Sequence, residues 1–76
     1  MQIEGKIIDV FETWPFQLTV ETRTGRYHVG LQLDTTITYQ GLPSSASELK
    51  AHRWILIDGE ESAPQGFLAK SITILT

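Results

Sequence analysis

The 76-residue chain has no cysteine, only one methionine and only three prolines. Without cysteine there are no disulfides, no thiolate zinc site and no cysteine nucleophile. Covalent and metal staples common in small folds are therefore missing from a domain that buries only about 60–65% of the surface its unfolded chain exposes. No apolar run exceeds four residues, Trp54-Ile55-Leu56-Ile57, whereas a spanning helix needs about 20. Met1-Gln2-Ile3-Glu4 lacks the basic-then-apolar form of a secretory signal. The expectation is a cytoplasmic protein with no membrane role. Charge blocks, low-complexity tracts and internal repeats are also absent. Six basic residues against nine acidic ones leave a net charge of −3, which argues against nucleic-acid binding through bulk charge and leaves only a local basic patch to consider.

What is present is period-two alternation punctuated by glycine and proline, in a chain that is 41% apolar and 20% charged. That pattern predicts strands in a globular domain. From Gln2 to Phe11, Ile3, Gly5 and Ile7 share a face, but the next residue in phase is Val10. A step of three demands a bulge or sharp bend. Trp14-Pro15 interrupts the ladder. Phe16, Leu18 and Val20 then form the inward face of a second strand, and Thr22-Arg23-Thr24-Gly25 supplies a hairpin turn. The third strand returns with Tyr27, Val29, Leu31 and Leu33 inward, jogs at Asp34-Thr35 and resumes at Thr36–Tyr39.

After Gln40-Gly41-Leu42-Pro43, Ser45-Ala46-Ser47-Glu48 matches the S-x-x-E capping box and predicts a helix of about two turns. Such a helix is too short to stand alone; its role is to plug a barrel end with Ala46 and Leu49. Arg53–Asp58 and Gly66–Leu75 are the fourth and fifth strands, and Gly59 to Gln65 reads as an exposed acidic loop. The fifth strand repeats the fault of the first, stepping by three from Ala69 to Ile72. Odd steps in the first and last strands call for strong curvature, and a flat strand cannot close a barrel. The order strand, strand, strand, helix, strand, strand is that of the OB-fold. The fold class is therefore mainly β, a five-stranded OB-like Greek-key barrel over residues 1–76 with one short helix between strands three and four. An SH3-like barrel ranks second, because of the capped segment.

Gly5-Lys6-Ile7-Ile8-Asp9-Val10, Leu18-Thr19-Val20, Thr35-Thr36-Ile37-Thr38, Leu49 through Gly59, and Ala69-Lys70-Ser71-Ile72-Thr73-Ile74 follow a pattern. In order, its elements are G-x-I-x-x-V, an I-T-V-like strand, T-x-I-T, L-x-x-G-x-x-V-x-V-x-G and A-x-x-I-x-I. In these segments the chain resembles a bacterial family of small OB-like domains of unknown function. His52 stands where that pattern has glycine. The resemblance implies a fold, and its motifs are packing and turn signatures that imply no chemistry.

Two surfaces are candidates for function. If Ile55 and Ile57 fill the core, Trp54 and Leu56 face outward, and Ile8, out of phase on the neighbouring first strand, joins them. An apolar patch of Ile8, Trp54 and Leu56 marks a docking surface for a protein partner or a second copy. The alternative is oligonucleotide or oligosaccharide binding on the outer face of strands two and three, using Trp14, Arg23, Arg26 and His28. Glu21 on that face and Asp58, Glu60 and Glu61 on the last hairpin carry the wrong sign for phosphate. No metal site is expected, since His28 and His52 lie on different elements and Asp58-Gly59-Glu60-Glu61 lacks the alternating oxygens of a calcium loop. No cofactor is expected. Neither a nucleophile elbow nor a phosphate loop is present, and Ser45 with Glu48 reads as a cap; the chain is not expected to be an enzyme.

Overall fold

The structure is a computed structural model that describes residues 1–13, 15–63 and 65–76. Among the described residues the strands are β1 (Gln2–Phe11), β2 (Gln17–Thr22), β3 (Gly25–Tyr39), β4 (Leu42–Pro43), β5 (Trp54–Ala63) and β6 (Gly66–Ile74). The five long strands close on themselves. β1 pairs antiparallel with β2 and β5, β2 with β3, and β5 with β6, while β6 runs parallel to β3. This circuit is the OB-like barrel expected from the strand order. Closure removes most of the free sheet edge that a chain of this size would otherwise leave exposed.

Alternation places the core. Ile7, Leu18, Val20, Val29, Ile55 and Ile57 are fully buried, joined by Phe67, Ala69, Ile72 and Ile74. Both odd steps are bulges. Between Ile7↔Val20 and Asp9↔Thr19 the first strand carries one extra residue, Ile8. Between the pairs Ser71↔Asp58 and Ala69↔Gly59 the extra residue is Lys70. Each lets the apolar phase resume inward after the strand has bent.

Three local expectations are corrected. Leu33 does not face inward but is 86% exposed. Opposite Lys70, β3 bulges out over Gln32–Thr35, between the pairs Leu31↔Ala69 and Thr36↔Ser71, and Leu33 rides on the excursion. Thr35 stitches its base: the Gln32 amide donates to Thr35 Oγ1 at 2.7 Å, and that hydroxyl donates to the Ala69 carbonyl at 2.8 Å.

The capped segment is shorter than two turns. Ala46–Glu48 forms one 3-10 turn, and Ser45 makes no side-chain capping bond. The Ser45 and Ser47 hydroxyls share a hydrogen bond of 2.7 Å instead. The Glu48 carboxylate turns to Arg53, 3.5 Å away, whose guanidinium also donates to the Glu48 carbonyl. Leu49 leaves the turn in an extended conformation and still fills the barrel end, 2% exposed, with Ala46 partly buried against the core.

The acidic stretch from Gly59 onward is not a loop but the continuation of β5, with Glu60 opposite Leu68 and Glu61 opposite Phe67. Backbone pairing with β6 holds Glu60 and Glu61 in the strand. Before β5, His52 has φ 77°, a left-handed backbone that glycine adopts without strain. Its amide donates to the Ile7 carbonyl at 2.6 Å, which ties the turn to β1.

Candidate functional site

With Ile55 and Ile57 wholly buried, the pleat turns Trp54 and Leu56 to the outer face. Trp54 is 45% exposed, and Leu56 is half-buried. Lys6 lies across from Trp54 on β1; Leu56 sits between Glu4 on β1 and Thr73 on β6. Ile8, half-buried, lies at the β1 bulge beyond Lys6, so a charged side chain stands between it and Trp54 along the strand. Sequence reasoning missed Leu75. Its amide donates to the Trp54 carbonyl at 2.8 Å, and its side chain is 43% exposed. Alternation could have found it, because Ile74 is buried and the next residue must face out.

The outer face of β2 and β3 holds most of the second set. Arg26 and Glu21 are opposite one another and form an exposed ion pair at 3.6 Å. Arg23 is exposed in the turn that joins the two strands. His28 is exposed, and its ring lies 5.9 Å from that of Phe11, tilted by 37°. Phe11 was not foreseen here, although the inward Val10 dictates that its neighbour points out. Trp14 lies outside the described residues. The two histidines are on separate elements, β3 and the turn before β5. Among the described residues, no three His, Asp or Glu side chains converge as metal ligands, and no helix is long and apolar enough to cross a membrane.

Between these two surfaces runs an open groove of about 940 Å³ over the first half of β1. Ile3, Glu4 and Lys6 line it with Arg23, Tyr27 and Trp54. Ile3 and Tyr27 are the half-buried ends of the core, and the Tyr27 ring stands edge-on to Phe67 at 6.4 Å. The volume is within the range of ligand sites, about 300–1,000 Å³, but the groove opens to solvent along β1.

No family model matches this chain, and no curated protein matches it.

Proposed function

We propose that this barrel is a binding or assembly module that docks protein, a partner or a second copy, through the outer face around Trp54. The carrying observation is the exposure of Trp54 beside Leu75 on a face where a soluble barrel would ordinarily place polar side chains. Tryptophan in such a setting is the residue type most often found to dominate binding energy. Leu56 and Ile8 extend the apolar surface, with Lys6 and Glu4 set among them, directly across from Trp54 and Leu56. The test is Trp54→Glu, with circular dichroism to confirm the fold and sedimentation equilibrium to read mass. Loss of self-association or of a bound partner supports docking; an unchanged mass with unchanged partner binding overturns it.

A second reading is favoured by one observation, the Phe11–His28 ring pair. Together with Arg23 and Arg26 it offers stacking and charge on the face that OB-folds use for oligonucleotides and oligosaccharides. It ranks lower because Glu21 already engages Arg26 and the net charge is −3. Fluorescence titration with oligonucleotides at low salt decides it: quenching that Phe11→Ala weakens supports the reading, and no change at micromolar protein removes it.

A further inference from the structure

The groove also has a backbone feature. β1 changes partners part-way along. Gln2 to Lys6 pair with β5, and Lys6 to Phe11 pair with β2. The hydrogen-bond phase is set by two contacts: the Gly59 amide donates to the Met1 carbonyl and the Ile7 amide to the Arg53 carbonyl, both at 2.9 Å. In an antiparallel ladder, alternate residues point their amide and carbonyl groups to opposite sides. Odd-numbered residues of this stretch therefore face β5, while Gln2, Glu4 and Lys6 face the β2 side. Lys6 is met there by Glu21. Gln2 and Glu4 are met by no strand among the described residues, because β2 ends at Thr22 and turns away into Gly25. Two residues of strand edge thus open into the groove.

We propose that this edge takes an added strand from a partner, an extended segment with an apolar residue over Ile3 and a basic residue opposite Glu4. The inference rests on the docking reading and names the chemistry of the partner. Paired peptide groups supply the affinity and alternate side chains the specificity, as in strand addition generally. Ile3 and Tyr27 line the groove where the apolar side chain points. Glu4 is exposed and has no ion-pair partner among the described residues, so a basic residue directly opposite is favoured and an acidic one disfavoured. The same charge argues against a second copy as the occupant. Two-fold pairing about Ile3 would bring the two Glu4 side chains onto one face, between chains that each carry −3.

The test uses the intact protein and three six-residue peptides: alternating valine and lysine, alternating valine and glutamate, and the valine–lysine peptide N-methylated at its lysines, whose amides are the ones that face Gln2 and Glu4. Amide exchange read by NMR reports directly on Gln2 and Glu4. The valine–lysine peptide is expected to slow exchange at both amides, and N-methylation to weaken binding about tenfold or more, the equivalent of one or two lost hydrogen bonds. Glu4→Gln is expected to narrow the difference between the lysine and glutamate peptides. Equal affinity of the N-methylated peptide, or no protection at Gln2 and Glu4, overturns strand addition. Equal affinity of the glutamate peptide overturns the assigned charge, and a dimer that the valine–lysine peptide does not displace overturns the choice of partner over second copy. Absence of protection with assembly still abolished by Trp54→Glu overturns this inference alone and leaves the docking reading standing.

Discussion

Gly5 is where β1 lies between two partners, opposite Ile55 on β5 and hard against the backbone of β2. A Cβ placed there would collide with the Glu21 carbonyl oxygen and lie 2.8 Å from Val20 Cγ1. Neither neighbour can withdraw alone. Val20 is fully buried, and β2 is held on both sides, with Val20 opposite Ile7 and Tyr27. Gly5→Ala must therefore separate β1 from β2 or push β2 into β3. Overpacking of this kind costs typically about 1–3 kcal/mol and occasionally more. The alanine recovers about 0.5–1 kcal/mol by restricting the unfolded chain. A net loss of about 1 kcal/mol follows, which lowers the melting temperature of a domain this size by about 4–8 °C. Gly30→Ala is the control. Its Cβ would meet only Leu68 Cδ2, at 3.6 Å, an ordinary contact, so that variant is expected to melt at or slightly above the wild-type temperature. Thermal and urea unfolding followed by circular dichroism read both. If Gly5→Ala melts with the wild type, or if both glycines respond alike, close strand approach is not the reason for Gly5.

Thr35→Val keeps the shape of the side chain but removes the hydroxyl that joins Gln32 to Ala69; a loss of about 1–2 kcal/mol in urea unfolding is expected, and no loss would show that the β3 excursion is held by other contacts. Leu49→Ala should cost about 2–5 kcal/mol although the residue lies outside any strand, because it is the plug of the barrel end; a cost typical of an exposed loop leucine would refute that role. His52→Gly relieves a left-handed backbone and is expected to stabilise by about 0.5 kcal/mol, the strain removed slightly outweighing the added freedom of the unfolded chain. A fall in melting temperature would mean that the imidazole makes a contact worth more than the strain.

The curvature of the barrel was legible because two of its bulges change the phase of the apolar pattern. Ile7 to Val10 and Ala69 to Ile72 are odd steps, and an odd step cannot be hidden in a period-two strand. The excursion in β3 is hidden for the complementary reason. Leu31 and Ile37, both inward, are an even step apart, so counting alternate residues runs through Gln32–Thr35 without a fault and places Leu33 in the core. The capping box failed differently. Its spacing is present, but Arg53, five residues beyond Glu48, takes the carboxylate that the cap requires, a competition that local pattern cannot register.

The same distinction separates the two halves of the candidate site. Trp54 and Leu56 were readable as outward once Ile55 and Ile57 were assigned to the core, and Phe11 and Leu75 follow by the same rule from Val10 and Ile74. The open edge at Gln2 and Glu4 follows from no such rule. It depends on where β2 stops, and β2 stops because the Thr22–Gly25 turn falls one residue past the point at which Glu21 meets Lys6. Had the hairpin been three residues longer on each side, β2 would have covered Glu4 and Gln2 and the barrel would have closed along the whole of β1. Barrel closure and the unpaired edge are thus consequences of one strand changing partners, and the short reach of the β2–β3 hairpin leaves backbone beside Trp54 for another chain to pair with.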